Sequence, residues 1–296
     1  MCFSKAVVGT GNRCSSWYCD RQIPTEHYAS FKSFVLQEHA DVPENQCAAA
    51  KITYKSTGQY KVGILNRRKS RHITNIPELI ARLSDMNQKQ DGIDFQISLL
   101  DFDQPECDII NTAHLVKDLD IMIAPFGNGL GAGLFMKEDS VLIAISARYW
   151  NEPWFKYPMT AIGRRIFNFE CQSEVCKEYD ETLAKKILWD DYQIALNQTE
   201  MQEFLTTHNP EHILGPYLPT KEQAWEPFLK FYKNTARRVD VERFVPYLKE
   251  IMKNKPPKNM SYPESCKTPN VCCDLDCKIP LERNVFGEKS AWKNYL

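Results

Sequence analysis

The chain has 296 residues, 43% apolar and 25% charged, enough to bury a sizeable core in one large domain or two smaller ones. Its 37 Lys and Arg nearly cancel 38 Asp and Glu, and the net charge of −1 excludes a general nucleic-acid binder, because no uniform positive field faces a phosphate backbone. Any anion site is therefore local, and no stretch approaches the roughly 20 apolar residues of a membrane span.

In chain order, residues 1–50 offer one helix, at "YASFKSFVLQEHAD", where Phe31, Phe34 and Val35 fall at helical spacing. From Lys61 the apolar period alternates regularly. "KVGIL" reads as a strand and "NIPELIARLSDMN" as a helix carrying Ile76, Leu79, Ile80 and Leu83 on one face, with Asn75 and Glu78 as a reciprocal cap and Pro77 in the first turn. "IDFQISLLDF" is a strand, and "PECDIINTAHLVKDL" a helix with Ile109, Ile110, Ala113 and Val116 on one face. "DIMIAPF" is a strand, "GNGLGAGLFMKED" a glycine-opened helix and "SVLIAIS" a strand. Strands alternating with helices of about 10 to 15 residues indicate βαβ units on a parallel sheet. The short runs "IMIA" and "VLIAI" lack alternation, as strands covered on both faces do. The expected core is a doubly wound, Rossmann-like α/β domain. Beyond Arg148 come aromatics ("YWNEPWFKYP"), polar loops from about 171 to 223, and an amphipathic helix at "DVERFVPYLKEIMKN" that Pro246 kinks or displaces by a turn. The division is then 1–50, 51–255 for the α/β domain, and 256–296 for a Cys- and Pro-rich irregular tail.

Eleven cysteines without a CxxC pair argue against a zinc ribbon or a thioredoxin-like site. "CQSEVC" and "CKTPNVCCDLDC" resemble disulfide loops of an oxidising compartment, and the sequons at Asn197 and Asn259 point the same way. The first residues, "MCFSKAVVGTGNRC", have no signal-like apolar core, so either the cytosol is home or Met1 lies inside a longer natural protein.

Two loops carry the chemistry. "NRRKSRH" puts Arg67, Arg68, Lys69, Arg71 and His72 at the carboxyl end of the first predicted strand, where ligands of parallel sheets bind. Arginine offers a planar fork of donors to phosphate oxygens; the alternative is a solvated loop whose cations soften the surface. "PFGNGLGAGLF" follows the strand "DIMIA", and Gly127 and Gly129 let backbone amides and a helix N-terminus approach an anion, unless the glycines serve tight packing. The spacing is neither GxGxxG nor GxxxxGK, so neither nicotinamide nor ATP is indicated. "DFD", Asp101 to Asp103, is a candidate Mg²⁺ or Mn²⁺ pair, but two carboxylates converge too little and no metal is expected. His114 reads as a hydrogen-bonded structural residue, and Trp150, Trp154 and Tyr157 as a packed aromatic cluster.

Together, "ILNRRKSRHITNIPELI" and "DIMIAPFGNGLGAGLFMKEDSVLIAI" resemble the donor-binding half of one glycosyltransferase family. It contains the EGF-domain-specific O-GlcNAc transferase, the protein O-mannose β-1,4-N-acetylglucosaminyltransferase and the plant β-1,2-xylosyltransferases. "CFSKAVVG" is similar to that family's interdomain motif. The resemblance implies a GT-B arrangement of two Rossmann-like domains, this chain supplying the nucleotide-sugar half with most of the N-terminal domain missing. Arg67, Arg68 and Arg71 match the basic motif, and Phe126, Gly127, Asn128, Gly129 and Leu130 fall on the glycine loop; these would hold the diphosphate of a UDP-sugar, a substrate rather than a cofactor. It further implies transfer with inversion to a protein acceptor, of the EGF-like or O-mannosylated kind, with N-acetylglucosamine the favoured sugar and xylose second. The catalytic base is unassigned, since it commonly comes from the other domain. The implied compartment is the lumen of the endoplasmic reticulum or Golgi, reached through a signal that this chain lacks. Two departures stand out: Phe126 replaces the family's His and Ala144 its Glu. They keep open a catalytically degenerate relative that acts through protein interaction.

Overall fold

The structure, a computed structural model, describes residues 25–37, 47, 50–52, 60–88, 94–146, 155, 159, 163–170 and 180–253. The aromatic residues Trp150, Trp154 and Tyr157, the interdomain-like "CFSKAVVG", the loops "CQSEVC" and "CKTPNVCCDLDC", Asn259 and the tail 256–296 lie outside the described residues.

Among the described residues the centre is a six-stranded sheet: β1 (Ala50–Ile52), β2 (Tyr60–Asn66), β3 (Phe95–Asp101), β4 (Ile121–Pro125), β5 (Val141–Ser146) and β6 (Arg165–Glu170). Their spatial order is β1-β3-β2-β4-β5-β6, with β1 antiparallel and the other five parallel. β4 and β5 are buried along their whole length, which is why their sequences show apolar runs without alternation. The two faces still separate by parity. Ile121, Ile123, Val141, Ile143 and Ile145 join Val62 and Ile64 on one face, under helices α2 (Ile76–Gln88) and α8 (Val241–Lys253). Met122, Ala124, Leu142 and Ala144 join Leu65 and Leu100 on the other, under α1 (Thr25–Gln37), α3 (Ile109–Val116) and a 3-10 helix (Asn128–Phe135). The result is three layers, helix on sheet on helix.

Several expectations are corrected. Of the apolar residues at helical spacing on α1, Val35 is buried, whereas Phe31 and Phe34 are 43% and 48% exposed. Ile109 heads α3 and is 53% exposed; only Ala113 and Val116 of the expected stripe are buried. Asp108 caps that helix by accepting from the Asn111 amide at 2.7 Å, which places Ile109 at the first helical position. The span 171–223 is not loop throughout: α4 (Glu181–Tyr192), α5 (Gln198–Thr206), α6 (Glu211–Leu214) and α7 (Lys221–Asn234) fold around Phe204, Phe228, Phe231 and Leu188 as a separate core. Their short lengths and many capping polar residues dilute the helical period. Asn197, read as a sequon, is also the N-cap of α5 in a capping box with Glu200. Helix α8 continues through Pro246, with Tyr247, Leu248 and Ile251 buried beyond it. A disulfide joins Cys47 to Cys107 across 60 residues, a pairing that no local spacing signals. None of the helices among the described residues is long and apolar enough to cross a membrane.

Asn75 behaves differently from a helix cap. Its carboxamide exchanges two hydrogen bonds with Val239, donating to the carbonyl at 2.8 Å and accepting from the amide at 2.9 Å, and donates also to Glu78 Oε2. It therefore sews the start of α2 to the segment before α8. Asn75 is 5% exposed, so Asn75→Ala leaves buried backbone groups unmet and is expected to cost about 1–3 kcal/mol, read as a lower urea midpoint at unchanged slope.

Candidate functional site

Strand β2 is the pivot of the sheet. From it the chain crosses to β3 through α2 on one face, then returns past β2 to β4 through α3 on the other face. The loops leaving β2 and β4 thus diverge to opposite faces while their strands lie side by side, Ile64 paired with Ile123. A crevice opens at such a point beyond the carboxyl ends of the strands, where doubly wound sheets take their ligands.

Both candidate loops leave their strands at this end of the sheet and meet there. Gly127 has φ 152° and ψ −172°, a region open almost only to glycine. A Cβ placed there would lie 3.1 Å from Arg71 Nη1 and 3.2 Å from Arg67 Nη1, so two guanidiniums stand over the Gly127 backbone. Gly129 serves packing instead: its Cβ would meet Leu65 Cδ2 at 2.5 Å. The segment after it winds as a 3-10 helix, not an α-helix, and the Leu130 amide closes the first turn onto the Gly127 carbonyl at 3.0 Å. Leu130 is fully buried and its amide is spent; the amides before it lie in the turn that opens the helix, where intrahelical acceptors are lacking. Asn128 is exposed at the mouth.

Arg68 is placed elsewhere. Its Nη2 and Nε reach Asp101 Oδ2 at 2.6 and 2.8 Å, and its amide donates to Asp103 Oδ2 at 3.0 Å. The "DFD" carboxylates are occupied in the same way, Asp101 Oδ1 accepting the Asp103 amide. Burial raises the Asp101 carboxyl, but hydrogen bonds from Arg68, the Asp103 amide and Gln104, with the charge of Arg68, outweigh it and hold the group below the usual range. Among the described residues no group of three His, Cys, Asp or Glu is arranged for a metal. His114 lies on α3 with Lys117 Nζ 3.4 Å from its Nδ1.

Phe126 is buried, packed edge-on against Phe155 with ring centroids 6.4 Å apart, and offers the crevice neither proton nor hydrogen bond. Ala144 is buried two residues before the end of β5, between Ala124 and Asn168 in register, within the layer that also holds Phe126. A carboxylate at that position would enter an apolar layer.

A third arginine completes the cluster, and nothing in the local sequence marks it. Arg237 is 2% exposed, its Nη1 and Nη2 donating to the carbonyls of Thr235 and Lys233 at 2.8 and 3.0 Å. Its backbone pairs with the arginine loop, the amide donating to His72 O and the carbonyl accepting from the Thr74 amide. Burial first, then Arg71 and Arg67, hold its pKa well below the ordinary guanidinium range. Burial and Arg67 act on Arg71 in the same direction. Among the described residues, no carboxylate forms an ion pair with Arg67, Arg71 or Arg237. Among the described residues the partners of Arg71 and Arg237 are thus neutral oxygens, which orient the guanidiniums without cancelling their charge.

The five parallel strands, layered between helices, define a Rossmann-like α/β protein whose arginine loop and glycine turn leave neighbouring strands at the point where the strand order reverses. Residues 8–143 match the family model described as glycosyltransferase 61, which supports a glycosyltransferase of that family. None of the curated proteins compared matches the chain. The matched segment covers both loops and stops short of α7 and Arg237.

Proposed function

We propose that the chain binds the diphosphate of a UDP-sugar between Arg67, Arg71 and the Gly127 turn and serves as the donor half of a GT-B glycosyltransferase. N-acetylglucosamine is the favoured sugar, xylose the second, and a protein in the lumen of the endoplasmic reticulum or Golgi the acceptor. The observation that carries the reading is the approach of two guanidiniums, neither held by a carboxylate among the described residues, to one glycine whose backbone no other residue adopts easily.

Transfer with inversion breaks the bond between the anomeric carbon and the β-phosphate oxygen while an acceptor hydroxyl oxygen bonds to the opposite face of that carbon. The electron pair of the broken bond stays on the phosphate. Arg67 and Arg71 would stabilise that growing charge, and groups aimed at developing charge are each worth roughly 10²–10³ in rate. The proton of the acceptor hydroxyl goes to a base outside the residues assigned here. Phe126 and Ala144 favour a second reading, an interaction protein that retains the fold but has lost transfer. Neither of them contributes to holding a diphosphate, so donor binding and turnover are separable.

Thermal unfolding with and without UDP tests the first step. At a hundredfold excess over Kd a ligand stabilises by about 2.7 kcal/mol, or roughly 5–10 °C at this chain length. UDP is expected to raise the melting temperature and uridine to leave it nearly unchanged. The absence of a rise at millimolar UDP leaves the interaction protein as the surviving reading.

A further inference from the structure

Arg71 sits at φ 62°, the left-handed region that a long side chain seldom adopts, and it lies on a loop rather than on a strand or helix. What holds it there comes from 163 residues further along the chain. The Arg71 amide donates to the Asn234 carbonyl at 3.2 Å, and Arg71 Nη2 and Nε donate to Asn234 Oδ1 at 3.1 and 3.4 Å. Nη1, on the opposite side of the fork, is the atom nearest Gly127. Asn234 is fixed in turn, its Nδ2 donating to Lys230 O at 3.0 Å in the last turn of α7. Arg237 braces the same end of the helix through the Lys233 and Thr235 carbonyls.

We infer that Asn234 is a positioning residue: the carboxyl end of α7 grips one edge of the Arg71 guanidinium and aims the other at an anion over Gly127. The inference rests on the diphosphate reading of that crevice and adds to it the element that presets the ligand. The amide oxygen Oδ1 orients the guanidinium while leaving its full charge in place, and the partial negative charge of a helix carboxyl end suits a cation. Arg68 shows the contrasting arrangement, since Asp101 orients it and cancels its charge.

The experiment is a double-mutant cycle on UDP affinity by calorimetry, using the whole chain as wild type, Asn234→Ala, Arg71→Ala and both together. Asn234→Ala is expected to raise Kd about five- to twentyfold in the wild type and by less than twofold in the Arg71→Ala background, because its effect passes through Arg71. Asn234→Asp provides the variant that keeps an acceptor in place. It should weaken UDP, since its carboxylate neutralises Arg71, although it gives up the Nδ2 donor to the Lys230 carbonyl. Unchanged Kd in Asn234→Ala or Asn234→Asp overturns the inference, and so does an equal loss from Asn234→Ala in both backgrounds. If wild type binds no UDP, or Arg71→Ala binds it as well as wild type does, the diphosphate reading itself fails.

Discussion

Replacing Arg71 with alanine is expected to weaken UDP about ten- to a hundredfold, because a charge-assisted hydrogen bond to a bound ligand is worth roughly 1.5–3 kcal/mol. The measurement is titration calorimetry at two salt concentrations. Loss of a phosphate-contacting cation reduces both the affinity and its dependence on salt, since the field of Arg71 is partly screened by mobile ions. The melting temperature without ligand should fall little or rise. Burial and Arg67 already disfavour the charge on Arg71, so removing it also removes a repulsion within the three-arginine cluster. Arg68→Ala supplies the contrast. Arg68 is exposed and tied to Asp101, and an exposed pair contributes at most about 1 kcal/mol, so its removal should leave the UDP affinity within about twofold. Equal losses from Arg68→Ala and Arg71→Ala would show that net charge, not the geometry over Gly127, holds the ligand.

Gly127→Ala is expected to fail in two ways at once. With φ 152° and ψ −172° the backbone lies where a Cβ costs on the order of 1–3 kcal/mol, so the melting temperature should drop by several degrees. The added methyl also lands 3.1 and 3.2 Å from the two guanidinium nitrogens. Both belong to the far ends of flexible side chains, so they will swing aside, and the approach to the turn is lost with them. UDP affinity is expected to fall at least tenfold, beyond what the stability loss alone would produce, as read by calorimetry below the melting transition. Gly131→Ala in the same 3-10 helix is the control. Its Cβ meets only Phe155 Cε1 at 3.8 Å, an ordinary contact, and a small gain in stability is expected from the less flexible unfolded chain. If the two alanine variants bind UDP alike, Gly127 has no special part in the site.

The parallel core could be read locally because each strand and helix of this region carries its own period and its own boundary residue. "KVGIL", "IMIA" and "VLIAI" became β2, β4 and β5, and "IPELIARLSDM" became α2 with Leu79 and Leu83 fully buried. Reading failed where burial does not follow local period. Phe31, Phe34 and Ile109 are apolar at helical spacing, yet their faces look outward, since the neighbour that covers a helix is chosen by the tertiary fold. Strand β6 was hidden because Arg165 and Asn168 interrupt its apolar run, and both are buried there, Arg165 donating to Ile251 O at 2.9 Å and lying 5.2 Å from the Phe167 ring.

The candidate site divides in the same way. Residue types and strand-end placement alone specified that a basic loop and a glycine turn would face one edge of a parallel sheet, because ligand loops of such sheets all open at the carboxyl ends. They could not separate Arg67 and Arg71 from Arg68, three arginines within five positions of one loop. That separation came from where Asp101 and Gly127 lie after folding, at the ends of β3 and β4 on either side of β2. Asn234 and Arg237 were invisible for the same reason: their partners are more than 160 residues away, and only the return of α7 and the segment after it onto the β2 loop brings them together. Local chemistry determined what this chain could bind, and the order of strands in the sheet decided which side chains can reach it.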